Sequence, residues 1–461
     1  MERKENKMGV MPVRKLILTM SLPMMASMLV QALYNVVDSI FVARVSEDAL
    51  TAVTTAYPLQ MMMIAVGSGT GVGMNALLSR SLGEKQFDRA DKAANMGILL
   101  TIFNFIIFVL LGIFAAKPFI ASQTANPVVR AYGSTYLSIV LCCCIGLQFQ
   151  MTFERMLQST GRTVYSMISQ ATGAVINIIF DPILIFGLFG APKLGVAGAA
   201  IATVMGQVVA SILGLVLNLR KNEDININLK GIFTPDLEVI KEIYAVGVPS
   251  MLMMSIGSVM TYLMNLILKT FSETAIAVFG AYFKLQSFFF MPVFGLNNGL
   301  IPVMAYNYGA ARKDRIKEAF IFAMELAVGI MLVGMLIFQI LPGKLLDLFN
   351  ASDEMRRIGI PALRTISLSF PVAGVCIAMG STFQAFSRSI YSLIVSVGRQ
   401  LVVLIPAAYL LSLAGNIDLV WWSFPIAEVM SLILSVIFFR KVFKEVSERI
   451  DRMNGVVTGD E

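Results

Sequence analysis

Apolar residues recur in twelve blocks along the 461 residues of the chain, and short polar segments separate the blocks. Most blocks hold about 20 residues or more, the length that an α-helix needs to cross roughly 30 Å of hydrocarbon. Because the connections are short, neighbouring helices are expected to run antiparallel. The pattern predicts an all-α integral membrane protein with twelve transmembrane helices, near residues 14–42, 50–78, 93–116, 131–153, 164–189, 194–219, 243–268, 274–304, 318–341, 358–382, 389–414 and 419–439.

The two halves of the chain match each other at one constant offset, the one that carries Pro23 onto Pro249. A single offset that holds across most of each half, loop charges included, indicates an internal duplication. The duplication predicts an N-terminal lobe at 1–219, a linker at 220–242 and a C-terminal lobe at 243–461. Each lobe has an even number of spans, so a pseudo-two-fold axis along the membrane normal relates them, which predicts a V shape with a central cleft. The other matching positions include Gln60 and Gln286, Gly83 and Gly309, Asp88 and Asp314, Gln158 and Gln384, and Arg162 and Arg388.

Composition and charge support membrane insertion. Hydrophobic residue types make up 57% of the chain and charged types 14%, whereas soluble proteins have about 25% charged residues. The net charge is +7, but the basic residues flank apolar blocks, so we expect them to meet the lipid bilayer and not nucleic acid. One side of the predicted membrane holds 25 Lys and Arg residues and the other 8. This asymmetry predicts a multi-pass protein of the cell (inner) membrane with cytoplasmic termini and linker.

Several kinds of chemistry are excluded or disfavoured. The sequence has no histidine, which excludes histidine catalysis and histidine metal sites. Its four cysteines lie in apolar stretches, where small packing residues are expected. The glycine run 67–73, GSGTGVG, lacks the Lys-Ser/Thr of a phosphate loop and is better explained by helix packing. Without a pair of nucleophile and base, a membrane enzyme is disfavoured, and we expect no cofactor.

The first span carries a polar stripe. Gln31, Asn35 and Asp38 stand at i, i+4 and i+7, which places them on one helical face. Such a stripe is expected to face the bundle interior, and an intramembrane carboxylate is a functional candidate. The alternative is that Asp38 lies near the outer membrane edge, where it reaches water and caps the next helix.

The fifth span presents an amide and a carboxylate on one face, Asn177 and Asp181 at i, i+4. Pro182 follows directly and frees the carbonyl one turn earlier. Together these oxygens are able to hold Na⁺, and the carboxylate is equally able to hold a proton. The alternative is that Asp181 satisfies backbone groups at a kink. On the sixth span, Thr203 and Gln207 lie one turn apart and extend the polar set.

The second repeat has a different set of charges inside its spans: Lys284, Glu325, Arg399 and Glu428. Lys284 and Glu428 are interpreted either as a buried ion pair or as substrate contacts. Thioethers, aromatic faces and amides suit bulky apolar cations, although ordinary lipid-facing or core packing is the better explanation for any single residue. The predicted substrate contacts are Gln31, Asn35, Gln60, Gln207, Met260, Met264, Gln286, Met291 and Glu428.

Three segments carry a family resemblance: YNVVDSIFVA on span one, the loop LGEKQFDRADKAA, and NIIFDPILIFG on span five. With the six-plus-six repeat, they resemble prokaryotic members of the multidrug and toxic compound extrusion family. The resemblance implies efflux of organic, often cationic compounds, driven by inward H⁺ or Na⁺ flow. It places the coupling ion at Asp38, Asn177, Asp181 and Thr203, the first three being the metal ligands if the ion is Na⁺. It also implies bending of span one at Pro23, and Pro182 is the second predicted hinge.

Two rival functions remain open at this point. A flippase of a lipid-linked oligosaccharide or polysaccharide needs basic residues for phosphates, and only Lys284, Arg364 and Arg399 are available inside the spans. A passive channel would conduct ions without drug exchange. We expect the protein to act as a monomer on small drug-like molecules.

Overall fold

The structure is a computed structural model, and it describes residues 5–455, a range that contains helices and no strands. Within this range, ten helices are long and apolar enough to cross a membrane, and two bent pairs of helices bring the number to twelve. We label the twelve spanning elements α1 to α12. Their bounds are α1 Val13–Ala43, α2 Glu47–Gly83, α3 Phe87–Phe114, α4 Pro127–Cys142 with Ile145–Ser159, α5 Thr163–Phe186, α6 Val196–Lys221, α7 Leu237–Lys269, α8 Glu273–Gly309, α9 Lys313–Ile340, α10 Asp353–Ser367 with Phe370–Ala385, α11 Ser389–Ser412, and α12 Ser423–Met453. The prediction of an all-α membrane protein with up to twelve spans is confirmed.

The fourth and tenth spans are broken, which the apolar pattern does not predict. The halves of α4 meet at 46° across Cys143 and Cys144, and those of α10 meet at 48° across Leu368 and Ser369. Cys143 and Ser369 are related by the same offset as the two halves of the sequence, so the two breaks follow the internal repeat. Cys143 is exposed at its break, whereas Cys144 is buried, so only part of the cysteine cluster packs as predicted.

Short helices complete the chain: Lys7–Val10, Ala116–Gln123, Leu188–Gly190, Leu229–Ile232, Pro342–Asp347 and Ile417–Val420. Helix α6 ends at Lys221 and α7 begins at Leu237, so both helices extend into the predicted linker, whose bounds stay a prediction. The predicted end of the last span at residue 439 is wrong, because α12 continues to Met453. Its last turns mix charged and apolar residues, so the average hydropathy falls there and the apolar block ends before the helix does.

Glycines bring the two lobes into close contact. An added Cβ atom at Gly73 of α2 would lie 2.0 Å from the carbonyl oxygen of Ile243 on α7. The repeat-related Gly299 of α8 packs against Ser21 of α1, whose hydroxyl donates to the carbonyl of Leu296 at 3.2 Å. The glycine run therefore serves helix packing, as predicted, and we call this contact of α1 with α8 and α2 with α7 the seam.

The seam lies at one end of the molecule. Residues 63–83 of α2 and 292–309 of α8 are largely buried, whereas the opposite ends of both helices have many exposed side chains. At this end, which we call the closed end, Gly83 of α2 and Gly309 of α8 each approach the backbone of the other helix. The lobes thus meet at the end that holds the termini and separate toward the other, which gives the predicted V shape with its central cleft.

The N-terminal segment 5–12 bridges the lobes at this closed end. The Asn6 amide donates to the carbonyl of Thr160 in the N-terminal lobe at 2.9 Å. From the C-terminal lobe, Arg315 donates to the carbonyls of Met8 at 2.9 Å and Met11 at 2.8 Å. The segment therefore acts as a strap across the seam.

Ion pairs fasten the start of α7 to the N-terminal lobe. Glu242 pairs with Arg80 at 3.2 Å and also with Arg89. Lys92 pairs at 3.2 Å with Asp236, the residue that caps α7. Hydrogen bonds from the Val239 backbone N–H and from Lys92 hold the pKa of Asp236 below its usual value.

Candidate functional site

The carboxylates of the first and fifth spans come together in the N-terminal lobe. Asp38 on α1 and Asp181 on α5 lie close enough for their carboxyl groups to interact directly with each other. Asp181 is fully buried, and one carboxylate oxygen of each residue is sealed from solvent without a hydrogen-bond partner among the described residues. The pairing of α1 with α5 thus joins the two aspartates that the sequence singles out.

Asn177 and Thr203 extend this pair. Asn177 lies one turn before Asp181 on α5 and is 2% exposed, so both polar ends of its amide need partners. Oriented to satisfy both, the amide donates to Asp181 Oδ2 at 3.0 Å and accepts from the Thr203 hydroxyl at 3.1 Å. Four of the residues predicted for ion coupling therefore form one connected cluster, which we call the carboxylate cluster (Asp38, Asn177, Asp181, Thr203).

Two tyrosines lie beside the cluster that the sequence pattern does not predict there. Tyr34 is close to Asp38 and Thr203, and Tyr136 is close to Asp38 and Gln60. Tyr34 lies one turn before Asp38 on the same face of α1, but the predicted polar stripe contains only amide and carboxylate side chains and therefore omits it. Tyr136 comes from α4, and only the tertiary structure brings it near.

An aromatic pair lies next to the cluster along α1 and α5. The rings of Phe41 and Phe186 meet edge to face with centroids 6.4 Å apart. Phe41 is three residues beyond Asp38, and Phe186 five residues beyond Asp181, so the pair lies toward the open end of the molecule.

The predicted polar stripe of α1 is only partly buried. Gln31 accepts a hydrogen bond from Gln170 on α5 at 2.9 Å, and Asp38 joins the cluster. Asn35 is exposed, so the stripe is not buried along its whole length. The helix turns Asn35 away because α5 covers only the edge that Gln31, Tyr34 and Asp38 share.

The predicted substrate contacts are scattered over both lobes. Four of them are half-buried: Gln60 on α2, Gln207 on α6, and Gln286 and Met291 on α8. Met264 is fully buried and Met260 is 7% exposed, so both are closed off from the cleft in this conformation and pack in the core of the C-terminal lobe. Their role as substrate contacts is not supported here, since apolar packing satisfies both side chains.

The charges of the second repeat pair differently from the prediction. Lys284 is exposed, and its proposed partner Glu428 instead accepts a hydrogen bond from Arg399 at 3.3 Å. Glu325 is also exposed. Arg399 lies in a π-helical stretch of α11, which the sequence does not reveal.

Arg155 does not lie where the apolar pattern predicts it. The pattern assigns it to a cytoplasmic loop, but α4 continues to Ser159 and places it inside the helix. Its guanidinium donates to Gln158 at 3.0 Å and, across the two lobes, to Asn298 of α8 at 3.0 Å. Arg155 therefore takes part in the contact between the lobes.

Two hinge predictions fall on residues within continuous helices. Pro23 lies inside α1, between the half that forms the seam and the half that carries Asp38. Pro182 lies inside α5, directly after Asp181. Both sites are placed where a bend would change the geometry of the cluster, but their hinge role stays a prediction.

Among the described residues, no group of three or more His, Cys, Asp and Glu side chains is arranged to hold a metal ion. An ion in the carboxylate cluster would instead draw on two carboxylates, one amide oxygen and one hydroxyl. The two unpartnered carboxylate oxygens fit a proton or a small hard cation, because each needs a positive partner in a dry site.

Comparison with known proteins gives concordant results. The family model MatE matches residues 23–183 and again residues 249–410, two segments that begin at the repeat-related prolines and together cover more than half of the chain. The multidrug export protein MepA of Staphylococcus haemolyticus is 26% identical over 92% of this chain and 92% of its own length. The MepA of Staphylococcus aureus is 26% identical over 92% of this chain and 93% of its own.

Solved structures show the same architecture. An outward-facing multidrug resistance MATE transporter of the MOP superfamily superposes with a TM-score of 0.90, at 25% identity, over 97% of this chain and 99% of that one. A MATE structure in a straight conformation superposes with a TM-score of 0.91, at the same identity and coverage. The duplicated family match and the full-length likeness lead to one conclusion: this chain belongs to the MatE (MATE) family of multi-pass membrane transporters, and it is not an enzyme.

Proposed function

We propose that this protein exports organic, drug-like compounds in exchange for protons and that the carboxylate cluster is the coupling site. The observation that carries the proposal is the buried contact between Asp38 and Asp181. Two carboxylates in direct contact at a buried site cannot both be ionised without a positive partner, so at least one proton or one cation must accompany them. Export is supported by the relatives, since MepA proteins are multidrug export proteins.

The direct contact favours H⁺ over Na⁺. A shared proton joins two carboxylate oxygens at hydrogen-bond distance, whereas Na⁺ would lie between them and hold them apart. Asn177 donates to Asp181, which leaves only its oxygen for a cation, and that oxygen already accepts from Thr203. Sodium coupling through the same residues is the alternative that experiment must separate.

Helix α1 provides the mechanical link between the cluster and the cleft. Its second half carries Asp38, and its first half packs against α8 of the other lobe through Ser21. A change of charge at Asp38 alters the fit of α1 against α5, and a bend at Pro23 would transmit this change to the seam. Since coupling is reciprocal, a drug that weakens proton binding is itself bound less tightly by the protonated protein.

The orientation in the membrane and the oligomeric state belong to the proposal as well. The closed end carries the termini and the linker, and the positive-inside asymmetry assigns it to the cytoplasm. The cleft then opens to the outside. We expect one chain to suffice for transport, because the cluster and the cleft are built from a single copy.

The test is transport of ethidium in proteoliposomes under an imposed pH gradient or an imposed Na⁺ gradient. The wild type is compared with Asp38→Asn, which removes one carboxylate, and with Asp88→Asn, a matched control at an exposed position outside the membrane. We expect pH-driven transport that is lost in Asp38→Asn and retained in Asp88→Asn.

Other outcomes are equally informative. Transport driven by Na⁺ alone would replace the proton with sodium at the same site. Transport that persists in Asp38→Asn would refute the coupling role of the cluster. Absence of wild-type transport under both gradients would refute drug exchange and favour the flippase of a lipid-linked saccharide.

A further inference from the structure

A second buried charged site lies in the C-terminal lobe. Arg399 belongs to the π-helical stretch Gly398–Leu404 of α11, and its Nη1 donates to Glu428 Oε2 on α12 at 3.3 Å. π-helical stretches are rare, and they are enriched at functional sites because they displace a side chain from its regular α-helical direction. Here the displaced segment is the one that carries the arginine.

The ion pair is incompletely satisfied. The Glu428 side chain is 8% exposed, and its second oxygen, Oε1, is sealed from solvent without a hydrogen-bond partner among the described residues. Arg399 offers five N–H donors and makes this one hydrogen bond within the described part of the chain. A buried pair held by a single bond does not recover the cost of removing two charges from water, so stability does not explain its presence.

Arg399 is open on one side. Its side chain is 33% exposed, and it lies ten residues into the spanning helix that begins at Ser389. An arginine at this depth avoids lipid and faces protein or a water-filled cavity. The exposed part of the guanidinium therefore faces the cleft.

The internal repeat relates the helices of this site to those of the carboxylate cluster. α11 and α12 correspond to α5 and α6, the helices that carry Asn177, Asp181 and Thr203 in the N-terminal lobe. At the C-terminal positions that correspond to Tyr34 and Asp38 stand Met260 and Met264, which are buried and apolar. In the described part of the C-terminal lobe, these helices therefore carry no pair of carboxylates; they carry one carboxylate, Glu428, which is paired with Arg399.

We propose that Arg399 and Glu428 are specificity-determining residues that select substrates with a charged N–H group. A protonated amine or amidine entering from the cleft donates to the unpartnered oxygen of Glu428 and displaces the guanidinium into the water of the cleft. A quaternary ammonium compound of equal charge has no N–H to donate and leaves Glu428 unsatisfied. The inference rests on the proposed drug export, and it names the chemical class that the cleft prefers.

The test is equilibrium binding to the purified full-length protein in nanodiscs. The probes are a fluorescent tertiary amine, protonated at neutral pH, and its N-methyl quaternary analogue. We expect the wild type to bind the amine about tenfold more tightly, as befits one charge-assisted hydrogen bond. Glu428→Gln is expected to abolish this preference, and Glu325→Gln, at an exposed position of α9, is the matched control that keeps it.

Two further variants separate recognition from architecture. Arg399→Gln removes the competing cation, so amine binding is expected to tighten relative to the quaternary analogue. The double variant Arg399→Glu with Glu428→Arg keeps an ion pair but removes the carboxylate from position 428. We therefore expect it to lack the preference for the amine over the quaternary analogue. Full recovery in the exchanged protein, or equal wild-type affinity for both probes, would overturn the inference and leave drug export intact. A wild type that binds neither probe would instead contradict the proposed function.

Discussion

Replacement of Gly73 by alanine is predicted to force the seam apart. The added Cβ would lie 2.0 Å from the Ile243 carbonyl oxygen, far inside the 3.4 Å at which ordinary van der Waals contact begins. The opposing atom belongs to helix backbone, so no flexible side chain is able to move aside. Helices α2 and α7 must therefore separate at the closed end of the molecule.

The size of the effect follows from this overlap. Overpacking of a tight contact costs about 1–3 kcal/mol, and each ~1.4 kcal/mol changes an equilibrium tenfold. The population of molecules with a loosened seam should rise by about one to two powers of ten. Gly280→Ala on α8 is the control, because its added Cβ meets nothing within 4 Å. Both variants gain the same helix propensity, about 1 kcal/mol, so their difference isolates the overlap.

The assay is a spin-label distance measurement across the seam in a background with the four native cysteines replaced. Labels at Asp88→Cys and Asp314→Cys occupy exposed, repeat-related positions on the two lobes. Gly73→Ala should lengthen and broaden the distance distribution and lower the melting temperature relative to Gly280→Ala. If both variants give the same distances and the same melting temperature, the seam is not the tight contact that we describe.

Three further predictions address the cluster, the strap and the cap of α7. Asn177→Ala removes the amide that joins Asp181 to Thr203, and gradient-driven ethidium transport should fall about 5- to 150-fold, since a buried polar group left unpaired costs about 1–3 kcal/mol; unchanged transport would remove Asn177 from the cluster's function. Arg315→Gln cuts two hydrogen bonds to the strap, so amide hydrogen exchange at residues 7–10 should accelerate, whereas Lys317→Gln, an exposed control, should leave the exchange rate as in the wild type. Because the pKa of Asp236 is lowered on folding, its charge stabilises the protein above the usual aspartate pKa, and this stabilisation is lost as the pH falls toward the lower folded value; Asp236→Asn should remove that part of the acid dependence of the melting temperature, and an identical acid profile would contradict the cap's ionic role.

Much of the architecture could be predicted from the sequence, because hydrophobic blocks and the repeat act over long stretches. A span must be apolar over its whole length, so the predicted bounds of α1 and α8 lie within a few residues of the observed ones at most ends. The breaks in α4 and α10 could not be predicted because a bend changes backbone direction without changing hydropathy. The end of α12 could not be predicted because its amphipathic last turns lie outside the apolar block.

The residues of the candidate site that could be predicted are polar or charged side chains within otherwise apolar spans. A carboxylate inside an apolar span stands out, and the i, i+4 spacing places Asn177 beside Asp181. The contact between α1 and α5 that joins Asp38 to Asp181 depends on tertiary packing, and so does the approach of Tyr136. The pairing of Arg399 with Glu428, in place of Lys284, is also set by tertiary packing, and Arg399 lies in a π-helical stretch that has no sequence signature of its own.

If the carboxylate cluster exchanges protons for drug, an imposed drug gradient must drive proton movement in the opposite direction. The most direct test therefore imposes a drug gradient and measures the proton flux. Proteoliposomes with equal internal and external pH receive an imposed ethidium gradient, and an internal pH indicator reports proton movement. We expect proton flux opposite to the drug in the wild type and none in Asp181→Asn. Drug flux without any accompanying ion movement, or proton flux that persists in Asp181→Asn, would contradict proton exchange at the carboxylate cluster.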